Sequence, residues 1–114
     1  MGIPSFDAGD RVTTLSLEGR LDAATINSIQ TEFMAKTVAL KKPVLVDMSQ
    51  VTFMASLCIR MLVEAAKGLK TSGARLALLK PSPLVERALK ASGFHQVVGI
   101  FHDEETARQN LAGS

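Results

Sequence analysis

The stretch VLVDMSQVTFMASLCIRML, Val44 to Leu62, decides how this chain is read. It opens after the break at Pro43 as a short, nearly continuous apolar run, VLVDMS, the pattern of a central strand covered on at least one face. By Ala55 the apolar period has become helical, and an amphipathic helix is predicted from about Ala55 to Thr71, closed by Gly73. A strand that ends in an acid therefore passes into a helix through a hydroxyl, Ser56. Two familiar uses of such a junction are excluded by residue type. Leu57 and Cys58 stand where a phosphate-cradling loop wants glycine, and Met54 and Cys58 stand where a nucleophile elbow wants it.

Working towards the N-terminus, Ile3 to Phe6 reads as a short strand and DAGD, Asp7 to Asp10, as turn chemistry. The run RVTTLSLEG follows, with Val12, Leu15 and Leu17 as strand residues ended by Gly19, so a hairpin is expected. LDAATINSIQTEFMAKTVAL then changes to helical spacing at Ile26, Ile29, Phe33 and Leu40, with Asp22 placed as its cap. On the other side, ARLALLK is a buried strand closed by Pro81. In SPLVERALKASG, Ser82 is a cap, Pro83 suits the first helical position and Gly93 the C-terminal one. QVVGIF reads as a short strand, and DEETARQNLA as a last helix with acids in its first turn. Strands come first and then alternate with helices, which predicts an α/β fold. The expectation is a mixed four- to five-stranded sheet with an N-terminal antiparallel pair and about four helices.

On a helical wheel advancing about 100° per residue from Ser56, Ile59, Leu62, Ala66 and Leu69 fall at roughly 220 to 300° and form the expected core stripe. Arg60, Glu64 and Lys67 fall on the opposite, solvated side, where Arg60 can pair with Glu64. Leu57 and Met61, one turn apart, form a second apolar strip beside the charges. That strip either tucks under a neighbouring loop or is a partner-binding face rimmed by Arg60, Glu64 and Lys67. Ser56 has two compatible readings, as a helix cap and as a phosphorylation site favoured by the helix dipole.

Composition narrows the function. The chain has 114 residues, enough for one core, and is read as a single domain over 1–114. Its 46% hydrophobic residues include no Trp or Tyr, so the aromatic platforms that stack nucleobases are scarce and nucleic acid is not expected as a partner. The charge is +2, with 13 basic against 11 acidic residues and no basic run. The single cysteine, Cys58, falls on a predicted helix and fits a reducing compartment. No apolar run approaches the ~20 residues of a membrane span and no secretory leader is visible, so a cytoplasmic protein without direct membrane insertion is expected. MGIPSF has Phe6 where an acylation signal wants Ser or Thr. His95 and His102 lack ligand spacing and are expected at the surface. No metal, cofactor or catalytic residue is assigned. Asp7, Asp10, Asp22 and Asp47 are the carboxylates available for acid–base work, and caps and turns account for most of them.

Asp22, Asp47 and the junction together resemble the STAS family, the domain of bacterial anti-sigma-factor antagonists. GRLD, Gly19 to Asp22, is similar to the family's Gly-x-Leu-Asp after its first long strand. VLVDMSQVTFMAS is similar to its strand, Asp-[Leu/Met]-Ser turn and Phe-[Met/Ile] lead-in, and the order of elements matches from Val12 to Ala112. In members that switch partners the lead-in continues Asp-Ser-Ser-Gly-Leu, and the second serine is phosphorylated by a kinase that is itself the anti-sigma factor. Those positions are Ala55, Ser56, Leu57, Cys58 and Ile59 here, so the acceptor position holds a leucine that no kinase can modify.

The resemblance implies a non-enzymatic protein-binding module acting in signalling and transcription regulation. It would dock a kinase-like anti-sigma factor or a signalling scaffold through Asp22, Ser56, Leu57, Arg60, Met61, Glu64 and Lys67, without the usual phospho-switch. Two alternatives stand beside it: an accessory subunit of a membrane transporter docking on its ATPase subunit, and a small nucleotide-binding protein or enzyme using Asp22 and Asp47 at strand ends.

Overall fold

The computed structural model describes Ile3, residues 5–9 and residues 11–112. The elements run β1 Ser5–Ala8, β2 Thr13–Leu21, α1 Ala23–Lys36, β3 Val44–Met54, α2 Ser56–Thr71, β4 Leu76–Leu79, α3 Pro83–Ala91, β5 Gly99–Phe101 and α4 Glu104–Ala112, with 3₁₀ turns at Val38–Leu40 and Phe94–Gln96. The five strands lie side by side in chain order. β1 pairs antiparallel with β2, and the remaining pairs are parallel. This is the expected mixed α/β sheet with four helices.

Chain order and strand direction fix where the helices go. Each parallel crossover is right-handed by default, and successive crossovers that advance the same way across a sheet must pack on the same face. Ile26, Ile29 and Phe33 of α1, Cys58, Met61 and Leu62 of α2, and Val85 and Leu89 of α3 accordingly share one core cluster with Leu15, Leu17 and Val46. α4 follows the last strand and turns to the other face, where Ala107 and Leu111 cover Leu45, Ala77 and Leu79. α2 comes close to the first 3₁₀ turn: a Cβ added to Gly68 would lie 2.8 Å from Cγ1 of Val38.

The element edges depart from the sequence reading in several places. β1 runs through Asp7 and Ala8, which had been assigned to the turn; Asp10 and Pro4 lie outside the described residues. β2 does not stop at Gly19 but passes through it with φ +75° and continues to Leu21. Leu40 belongs to the 3₁₀ turn rather than to α1. β3 runs to Met54, well beyond VLVDMS.

The reason is visible in the β2–β3 register. Ser16 pairs with Asp47 but Glu18 with Gln50, and Gly19 pairs with Val51 but Arg20 with Phe53. Each shift gives β3 one residue more than β2, as a β-bulge does. The buried residues of this half of β3 are therefore Met48, Val51 and Met54, spaced by three instead of two.

Candidate functional site

Because β2 to β5 point the same way, the four helices all begin on one rim of the sheet, at the strands' C-terminal ends. In three of them the chain supplies a side chain for an otherwise unpaired N–H. The Asp22 carboxylate accepts from Thr25 N at 3.0 Å, the Ser82 hydroxyl from Val85 N at 3.3 Å, and the Asp103 carboxylate from Thr106 N at 2.8 Å. Those bonds hold the carboxyls of Asp22 and Asp103 below the usual range, the Thr25 and Thr106 amides respectively being the largest cause. Sequence reasoning identified Asp22 and Ser82 as caps and missed Asp103, which the acids after it obscured.

α2 is built differently. Its N-cap is Ala55, which has no side chain to offer, and the N–H of Cys58 turns back to the Ala55 carbonyl at 3.0 Å. Ser56 is thus not the cap. It is the first helical residue, exposed, and among the described residues its hydroxyl has no hydrogen-bond partner. The junction is pinned from the other side: Ala55 N donates to Leu21 O at 3.0 Å, and Leu21 pairs with Met54. This puts Asp22 and Ser56 on the same stretch of rim, Asp22 one residue past Leu21 and Ser56 two past Met54.

The other residues of the expected binding face divide. Leu57 is half-buried, with part of its side chain against the core and part in solvent. Arg60 and Glu64 are exposed but form no ion pair with each other among the described residues. Lys67 is exposed too, yet eleven residues of helix separate it from Ser56, on the order of 16 Å. Met61 is a correction: it is 1% exposed and belongs to the core. The core side of α2 is centred on Cys58, Ala65 and Leu69 with Met61 and Leu62 flanking them, while Ile59 and Ala66, expected inside, lie half-buried at its edge. The second apolar strip therefore reduces to Leu57.

One feature of the rim had no sequence signal. The Arg20 guanidinium lies 4.4 Å from the centre of the Phe53 ring, within cation–π range, and its charge also lowers the Asp22 carboxyl. The two residues are cross-strand partners only through the second bulge of β3.

Asp22 and Asp47 are not brought together. Asp47 lies inside β3, where it accepts from Ser49 N at 2.8 Å, and it precedes Met54 by seven residues, roughly 20 Å of strand. The two carboxylates cannot share a substrate. Burial pushes the Cys58 thiol up to about 12, so it is a packing residue in this state. His95 and His102 are exposed, and His102 Nε2 lies 3.0 Å from Glu86 Oε1. Among the described residues there is no group of three or more His, Cys, Asp or Glu placed to hold a metal ion. No described helix is long and apolar enough to cross a membrane.

The model of the STAS domain family matches residues 4–107. The chain belongs to the STAS family. Among solved structures, its fold is similar to that of an anti-sigma-factor antagonist (STAS) domain protein from Planctomyces limnophilus, with a TM-score of 0.84 at 23% identity over 98% of this chain and 99% of that one. It is similar to the anti-sigma factor antagonist SpoIIAA in its unphosphorylated form, with a TM-score of 0.75 at 19% identity over 96% and 98% of the two chains. It is also similar to the phosphorylated form of the Bacillus protein, with a TM-score of 0.64 at 19% identity over 93% and 98%. At these identities the likeness is one of fold. Among curated proteins, none matches.

Proposed function

We propose that this STAS domain is a non-enzymatic docking module of the antagonist type, read by a protein partner at the start of α2 and lacking the phosphate switch. The observation that carries the reading is Leu57. In family members that switch partners this position holds the phosphorylated serine, and a relative of the same fold exists in both phosphorylated and unphosphorylated forms. A phosphate puts close to two negative charges into a docking face, with the repulsion and desolvation that follow. Leucine cannot carry it. Leu57 instead presents partly exposed apolar area between exposed Ser56 and exposed Arg60 in the chain. A hydrophobic anchor rimmed by mixed charge is the anatomy of a protein–protein contact. With Met61 inside the core, the anchor is one residue, so affinity depends on it strongly. The partner class that fits is a kinase-like anti-sigma factor or a scaffold built to hold such domains.

Titration of a kinase-like anti-sigma factor against Leu57→Asp tests this. Capture is expected to weaken by ~2 kcal/mol or more if Leu57 is a central anchor. Unchanged affinity would remove Leu57 from the interface. Incubation with the same partner and ATP, followed by mass spectrometry, should leave the protein unmodified, and stoichiometric phosphate on Ser56 would overturn the unswitched reading.

A further inference from the structure

The opposite pole of the molecule carries a second surface that the reading above does not use. Where α2 ends and β4 and β5 begin, a groove of about 770 Å³ opens between the last turns of α2, the segment Gly73–Leu76, the loop leading into β5 and the end of α4. Among the described residues, three cations line it, Lys67 and Lys70 from α2 and Arg75 from the entry to β4, and no acid does. All three are exposed.

What sets this place apart is that its unpaired cations are gathered on one groove. Three helix cations elsewhere sit opposite acids one turn away, Lys36 with Glu32, Lys90 with Glu86 and Arg108 with Glu104, while Arg60 and Arg87 form no ion pair among the described residues and line no part of this groove. Lys67, Lys70 and Arg75 take part in no ion pair among the described residues. The helix dipole accounts for a cation in the last turn of α2 and therefore for Lys70. It does not account for Arg75, which lies beyond the helix on another wall of the groove. Lys67 and Lys70, one turn apart, stand as like charges at a spacing that is unfavourable unless an anion lies between them.

The remaining lining says what kind of anion. Val97 is 61% exposed, an apolar contact left open to solvent, and Gln96 and Asn110 contribute amides that can bond a peptide backbone. Among the described residues the groove has no aromatic side chain on which a nucleobase would stack. Cations on separate walls match several spaced negative charges better than one small ion, and the apolar contact is of use only to a ligand with an apolar side chain.

We propose that this groove is a docking site for an acidic segment of a protein partner, its carboxylates facing Lys67, Lys70 and Arg75 and an apolar side chain resting on Val97. The proposal stands independently of the role of Leu57, which lies at the other end of α2.

The test is an amide-resolved NMR titration of the full ¹⁵N-labelled chain with a short capped peptide alternating glutamate and leucine. Saturable shifts are expected at Lys67, Lys70, Arg75 and Val97, with none at Ser56 or Leu57. The double variant Lys70→Glu/Arg75→Glu should bind about tenfold more weakly or worse, since it sets like charges against each other. Both substituted positions are exposed, so a dispersed spectrum will show that the variant is folded. The proposal is overturned by the absence of saturable shifts or by equal shifts with the same peptide carrying lysine for glutamate. It is also overturned by tighter binding of oligouridylate, which would make the groove a nucleic-acid site, or by shifts that follow protein concentration without peptide, which would make it a contact between copies.

Discussion

The starts of α1 and α2 are neighbours on one rim, joined by the bond from Ala55 N to Leu21 O, and they are held in different ways. At α1 the third helical N–H is taken by a carboxylate from outside the helix; at α2 the equivalent N–H is taken by the Ala55 carbonyl. Ser82 and Asp103 repeat the first arrangement at α3 and α4. A capped start is fixed locally, whereas an uncapped one must be held by what lies beneath it. Beneath α2 that is Cys58, Met61 and Leu62, all fully or almost fully buried. The comparison teaches that the exposed surface at the start of α2 contributes little to holding the fold, which leaves Ser56 and Leu57 free to be chosen for contact with something else.

The largest effect that could break this comparison lies in the core. Met61→Ala should cost about 2–5 kcal/mol in urea unfolding, the range for truncating a buried long side chain. Leu57→Ala, one turn earlier and half in solvent, should cost about 1 kcal/mol, in proportion to the smaller area it removes from water. Equal losses would mean that Leu57 is as much a core residue as Met61 and would leave the docking reading without its anchor.

The wheel misplaced Met61 for a physical reason. The core side of α2 is wider than the stripe the wheel selected: it runs from Met61 through Ala65, Cys58 and Leu69 to Leu62. Small Cys58 and Ala65 lie near its middle and add little apolar bulk, so weighing the wheel by bulk moved its centre towards Ile59 and Ala66 and left Met61 outside. The length of β3 was hidden in a similar way. Its two bulges space Met48, Val51 and Met54 by three, so the strand's period disappears from the sequence although its pairing continues. Caps were readable at Asp22 and Ser82 because a cap reaches only three residues. The Arg20–Phe53 contact was not, because it needs the register of two bulged strands to be known. The element order was legible throughout, since the parallel strands and their helices are each marked by a local change of period.

Two hydroxyls sharpen the comparison at the next scale. Ser82→Ala removes a cap and should cost about 1 kcal/mol. Ser56→Ala removes a hydroxyl without a partner and should stay within about 0.5 kcal/mol, as exposed substitutions generally do. A loss at Ser56 as large as at Ser82 would show that Ser56 supports the helix after all.

The converse change gives α2 the cap it lacks. Ala55 has φ −82° and ψ 161°, the extended geometry a cap requires, so Ala55→Asp can accept from Cys58 N without moving the chain. The gain should be about 0.5–1 kcal/mol, near the low end for caps because that N–H already has a backbone partner. Thermal unfolding will show it as a small rise in Tm. If capture of the partner falls while Tm rises, the missing cap is part of the docking surface and not a defect of the helix.

The smallest effect is expected in acid, where the two carboxylate caps differ from the other two starts. Asp22 and Asp103 both have their carboxyls lowered by the amides they cap. A carboxyl lowered by folding is protonated more readily in the unfolded chain. Its contribution is therefore complete above the unfolded value, near 3.8, and is lost as pH falls through the lower folded one. Asparagine caps about as well as aspartate and does not titrate in this range. Asp22→Asn/Asp103→Asn should accordingly melt close to wild type at neutral pH and lose less Tm than wild type as the pH falls below 3.8. Ser82→Ala, by contrast, should lower Tm by the same amount across that range. An acid limb unchanged by the double substitution would mean that these two caps are not where the protein takes up its protons on unfolding.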